Sequence, residues 1–202
     1  MTVCIIAAVL LGILCGRFII SPALLPFIQG SAEWFLAIML FVVGLDLGRT
    51  GNLVRQIKAL PKAVLSIPFL IAVGSIGGAL LINVLLGLHP LEAAAVASGF
   101  GWYSLSGVLI AETYDVSLGA LAFLANVFRE IIAIVLIPIV AARLGHLPAV
   151  APGGATTMDV TLPIISKHTS AQVTLIAFYS GVTLTLLVPV ILPLILRWAA
   201  LV

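Results

Sequence analysis

Residues 117–142 read SLGALAFLANVFREIIAIVLIPIVAA, an apolar run broken near its middle by Asn126, Arg129 and Glu130. A helix needs about 20 mostly apolar residues to cross the hydrocarbon layer of a bilayer, and a transmembrane strand needs only about ten alternating ones. This run is long enough to cross as a helix and does not alternate. Its polar centre sets it apart from a plain anchor. An ionisable side chain at membrane depth is expensive unless it is paired or wetted, so it points first to function.

The rest of the chain has the same character. Of 202 residues 63% are hydrophobic and 8% charged, against roughly 25% charged in an average soluble domain. Nine Lys or Arg and seven Asp or Glu cannot cover the surface of a water-soluble globule of this size. A net charge of +2 with no basic patch beyond one short loop leaves no footprint for nucleic acid. Further apolar runs are read at Thr2–Ile20, Ser31–Leu47, Lys62–Leu88 and Gln172–Trp198, the last with Pro189 and Pro193 as expected kinks. The first run lacks the basic start and small-residue site of a cleaved leader and is read as a retained span. Its Cys4 and Cys15 are too far apart along one helix to pair. Arg49, Arg55, Lys58 and Lys62 lie in one loop without an acid among them, which the positive-inside rule places in the cytoplasm.

Two stretches do not read as ordinary spans. Leu91–Thr113 contains Gly99-Phe100-Gly101-Trp102-Tyr103-Ser104-Leu105-Ser106-Gly107, and Pro148–Pro163 contains Pro152-Gly153-Gly154-Ala155-Thr156-Thr157-Met158-Asp159. Irregular backbone at membrane depth survives only when buried in protein or lining a wet cavity. Two such segments flanking a polar span are the pattern of a transporter binding site. The expected architecture is therefore an all-α integral membrane protein with about five full transmembrane helices plus two broken or re-entrant segments, 91–113 and 153–168, in one transmembrane domain over residues 1–202. Whether the two segments cross or re-enter stays open. Re-entry of both would put Arg143 and Lys167 on the cytoplasmic side, as charge bias prefers.

Templates for metal, nucleotide and nucleophile chemistry are absent. His89, His146 and His168 stand singly in turns, with no phosphate loop and no Gly-x-Ser-x-Gly elbow. Ser104 and Ser106 invite a reading as an intramembrane hydrolase, but the nearest histidine, His89, falls in a loop. Asp159 is the leading candidate for transport, beside Thr156, Thr157 and Thr161 as expected hydrogen-bond donors to it. Such an acid could hold a proton in one state and a cation in another; the plain alternative is a helix cap at the surface. Arg129 and Glu130 point about 100° apart and need separate partners, with Asn126 one turn before both. Arg129 is expected to pair with Glu112 or Asp159, or to grip a substrate carboxylate; a buried ion pair that only fixes packing is the structural alternative. Trp102 and Tyr103 could face an ammonium group or anchor at the interface. Asp46 reads as a helix-end residue.

These blocks carry a resemblance. Ala97 through Gly107, Phe128-Arg129-Glu130 and Gly153 through Pro163 resemble, in order, the signature blocks of the LysO family of lysine exporters, over essentially the whole chain. The resemblance implies export of L-lysine or a related basic amino acid from the bacterial inner membrane, by a multi-pass secondary transporter rather than an enzyme, with no cofactor. It also implies a transport role for Asp159. Longer family members carry about three further N-terminal helices with another acid, so a small membrane protein that supplies them, or a homo-oligomer, is the expected partner besides lipid. A non-transporting subunit or scaffold is the rival reading.

Overall fold

In a computed structural model, residues 7, 11–12, 14–18, 20–21, 24–49 and 62–201 are described. Among them there is helix and turn but no strand. Helices α1 (Leu25–Arg49), α2 (Lys62–Leu65) and α3 (Ile67–Leu86) are followed by α4 (Pro90–Ala97), α5 (Tyr103–Thr113) and α6 (Val116–Arg143). Two 3-10 turns, Pro148–Val150 and Gly154–Met158, lead to α7 (Leu162–His168) and α8 (Ala171–Ala199). Among the described residues α3, α6 and α8 have the length and hydropathy to cross a membrane. The expected count of about five full spans is not reached by them. Much of the run Thr2–Ile20, most of the basic loop and the side chain of Asp46 lie outside the described residues.

The ends of these helices follow from local chemistry. Gly87, at φ +70°, closes α3 with its N–H on the Asn83 carbonyl. Pro90 opens α4, while Glu92 accepts the His89 N–H at 3.2 Å. Asp115 caps α6 by accepting from Leu118 N–H at 2.7 Å, and Ser170 caps α8 through Val173 N–H at 3.3 Å. Pro189 and Pro193 lie inside α8, which continues through both as one helix.

Both interrupted segments fold back on themselves. The Tyr114 hydroxyl, just past α5, donates to the Glu92 carboxylate, at the start of α4, at 3.1 Å. A segment of this length that crossed a bilayer would hold those residues about 30 Å apart. Residues 90–113 therefore double back as a hairpin, hairpin 1, whose two ends lie together. Its α5 limb runs back along α6, where Gly107 and Gly119 let the helices touch: a Cβ at Gly107 would stand 2.9 Å from Phe123 Cβ. Residues 148–168 form hairpin 2 on the opposite face, since α6 ends and α8 begins there. Thr157 reaches the Ala177 carbonyl at 2.8 Å, about two turns into α8, while α7 returns beside the start of that helix.

Helix α3 followed by a hairpin from one face, then α6 followed by a hairpin from the other, gives two units of inverted sense that the sequence does not display as a repeat. Arg143 and Lys167 lie on the face from which hairpin 2 enters, where the backbone of α2 also begins. Glu92, Asp115 and Arg197 lie on the other.

Candidate functional site

The two hairpin apices meet backbone to backbone. Ala155 N–H donates to the Phe100 carbonyl at 2.8 Å. Phe100 is fully buried at φ +49°, a conformation that non-glycine residues seldom adopt and that surrounding structure must hold. Gly101 at φ +105° and Gly154 at φ +62° carry the chain through the crossing. A Cβ at Gly154 would strike the Phe100 carbonyl and the Arg129 guanidinium, so only glycine fits.

Helix α6 holds both apices from behind. Asn126, 3% exposed, accepts the Gly101 N–H at 2.7 Å and donates to the carbonyls of Val96 at 3.1 Å and Ala122 at 2.9 Å. A buried amide that replaces missing backbone partners explains why an asparagine stands in an apolar helix. Arg129, one turn on, serves hairpin 2: Nε donates to the Pro152 carbonyl at 3.2 Å and Nη1 to Ser75 Oγ at 3.0 Å. The expected ion pair with Glu112 or Asp159 is not formed among the described residues. Glu112 is exposed near the end of α5 and does not join the site.

In front of the crossing lies a cavity of about 210 Å³, lined by Trp102, Tyr103, Ser104, Glu130, Thr156 and Asp159, with Gly101, Ala155, Met158, Val160 and Thr185. Glu130 and Arg129 indeed part ways on their helix: one faces the cavity, the other the backbone behind it. The Asp159 carboxylate accepts the Val160 N–H at 2.6 Å. The threonines around it do not donate to it as expected. Thr156 bonds the Gly153 carbonyl at 2.9 Å and lies 3.2 Å from Thr161 Oγ1, and Thr157 bonds the carbonyls of Gly154 and Ala177. Their hydroxyls serve the bent backbone, whose carbonyls lack helical partners.

Tyr103 stacks edge-on against Phe123 with ring centroids 5.4 Å apart, which fixes its ring in the cavity wall. The first turn of α5 borders the same space through Tyr103 and Ser104; its Tyr103 and Ser106 N–H groups are taken by the carbonyls of Gly101 and Trp102. No histidine and, among the described residues, no Lys or Arg lines the cavity. Ser106 is buried with its hydroxyl on the Trp102 carbonyl, which removes it as a nucleophile for a hydrolase. No group of three His, Cys, Asp or Glu that could hold a metal occurs among the described residues.

The arrangement joins two carboxylates, two aromatic faces and a helix N-terminus at the crossing of opposed hairpins. The family model of the lysine exporter LysO matches residues 6–196. The chain belongs to the LysO family of lysine exporters. The Escherichia coli lysine exporter LysO is 37% identical over 186 residues, which cover 89% of this chain and 62% of that protein. A Haemophilus influenzae protein named provisionally as a lysine exporter is 32% identical over 188 residues, 93% of this chain and 94% of its own length. The chain thus spans about three fifths of the Escherichia coli relative and nearly all of the Haemophilus one. No solved structure matches it. Family and apolar helices together make it a membrane protein, and these relatives are named for transport rather than catalysis.

Sequence reasoning did not single out Ser75, Met158 or Thr185. Ser75 and Thr185 are hydroxyls inside apolar helices, the signal that could have found them. Met158 carried none: its thioether, 3.4 Å from Thr185 Oγ1, reads from sequence as an ordinary apolar residue.

Proposed function

We propose that the protein exports L-lysine or a closely related basic amino acid across the bacterial inner membrane as a secondary transporter. The observation that carries this reading is the presence of Glu130 and Asp159 on one cavity wall that has, among the described residues, no Lys or Arg. Two acids that cannot neutralise each other favour a ligand with positive charge at two points. The side-chain ammonium and the α-ammonium of lysine supply them. The lysine carboxylate fits the first turn of α5, where the helix dipole favours a negative group. Ring faces of Trp102 and Tyr103 add attraction for an ammonium.

Export follows if the acids exchange one cation for another. Lysine enters from the face bearing Arg143 and Lys167, which charge bias makes cytoplasmic. After the hairpins rearrange, protons arriving from outside neutralise Asp159, the ammonium loses its counter-charge and lysine leaves; the protonated carrier returns. A small membrane protein or a second copy of the chain is the further partner in this reading.

The test is lysine efflux from loaded proteoliposomes with an inward proton gradient. Wild type should release labelled lysine, and Asp159→Asn should insert normally but release none. Unchanged efflux from Asp159→Asn would remove this acid from the mechanism.

A further inference from the structure

Among the described residues the Arg129 guanidinium makes three hydrogen bonds, two to hairpin 2 and one to α3. Nε meets the Pro152 carbonyl at 3.2 Å, Nη1 meets Ser75 Oγ at 3.0 Å, and Nη2 reaches the Ala151 carbonyl at 3.5 Å, the weakest of the three. Gly154 packs against the same group, since a Cβ there would stand 2.8 Å from Nη2 and 3.0 Å from Cζ. One side chain on α6 thus grips the first limb of hairpin 2 and ties it to α3. Ser75, Ala151 and Pro152 also line an apolar groove of about 720 Å³ that shares no lining residue with the carboxylate cavity. The guanidinium therefore turns toward the groove's wall, while its sequence neighbour Glu130 turns into the cavity.

We propose that Arg129 is a positioning residue for export: it sets where hairpin 2 carries Asp159 relative to Glu130, and it does not hold the substrate carboxylate. The geometry gives the route. The carbonyls of residues 151 and 152 are bonded to Arg129, residue 155 to Phe100, and Thr157 to α8, so the chain reaches Asp159 with little freedom left. Glu130 rides on the same helix as Arg129, so the clamp determines the gap between the two acids. This rests on the reading of the cavity as the lysine site.

The decisive comparison uses lysine and 1,5-diaminopentane, which is lysine without its carboxylate. Proteoliposomes of wild type, Arg129→Lys, Arg129→Gln and Ser75→Ala would be assayed for kcat and KM of lysine efflux and for competition by the diamine. A positioning role predicts that kcat falls about tenfold or more in Arg129→Gln, as for loss of bonds to a charged group, and about two- to tenfold in Ser75→Ala, the scale of one ordinary hydrogen bond. Arg129→Lys should recover part of the rate. The preference for lysine over the diamine should stay within about twofold of wild type in all of them. Collapse of that preference in Arg129→Gln, with Ser75→Ala indistinguishable from wild type, would mean that Arg129 holds the carboxylate, and would overturn the proposal.

A thermal double-variant cycle between Arg129→Gln and Ser75→Ala reads the clamp without any substrate. Effects that fail to add support it, and simple additivity contradicts it. If wild type itself moves no lysine, the export reading fails, and the cycle still decides whether the clamp exists.

Discussion

Replacing Asn126 with alanine removes the side chain that completes the apex of hairpin 1. Its Oδ1 takes the buried Gly101 N–H at 2.7 Å, and its Nδ2 serves the Val96 carbonyl at 3.1 Å. Neither backbone group has another partner at hand, because the helix is interrupted there. A buried polar group left unpaired costs about 1–3 kcal/mol, so Gly101 at the full penalty and the half-buried Val96 carbonyl at a smaller one give about 2–4 kcal/mol. For a chain of this size each kcal/mol corresponds to about 2–4 °C, which places the fall in melting temperature at about 4–16 °C. The assay is thermal unfolding of purified protein in detergent, with Ser106→Ala as comparison. Ser106→Ala removes a marginal 3.4 Å bond from Asn126 Nδ2 and a 2.9 Å bond to the Trp102 carbonyl, which keeps the Ser106 N–H, so it should cost about 1 kcal/mol. An Asn126→Ala protein that melts within about 2 °C of wild type would refute the claim that this amide replaces the missing backbone partners.

Other consequences can be checked separately. Gly154→Ala puts a Cβ against the Phe100 carbonyl and Arg129 at φ +62°, so the variant should lose about 1–3 kcal/mol or more and most of its transport, read by melting and by efflux. Thr157→Val removes the one O–H that the Gly154 and Ala177 carbonyls share and should cost about 1–2 kcal/mol in the same melting assay, with a fall in efflux rate as hairpin 2 loosens. Single cysteines placed at His89 and Asp115 should react with a membrane-impermeant thiol reagent from one side, and those at His146 and Lys167 from the other. Labelling of the first pair from opposite sides would show that residues 90–113 cross.

The sequence displays its membrane class and the location of its breaks with little ambiguity, because both are one-dimensional signals. Apolar runs mark α3, α6 and α8 nearly to their ends, and clusters of glycine with hydroxyls mark the apices. Partner choice is not one-dimensional. Arg129 looks like a charge in search of an acid, and only the fold shows carbonyls at Ala151 and Pro152 closer than any carboxylate. For the same reason Thr156 and Thr157 look like ligands of Asp159 but serve bent backbone. Glu112 carries the right charge on the right helix at the wrong end of it. The doubling back of residues 90–113, too, rests on a contact between residues 92 and 114 that no local pattern foretells.

Equilibrium binding of labelled lysine to the purified protein, measured for wild type, Glu130→Gln, Asp159→Asn and the double variant, tests the two-carboxylate cavity most directly. Affinity should drop about tenfold or more with each single change, and the double variant should bind no measurable lysine. Wild-type affinity in either single variant would contradict a shared site built from both acids.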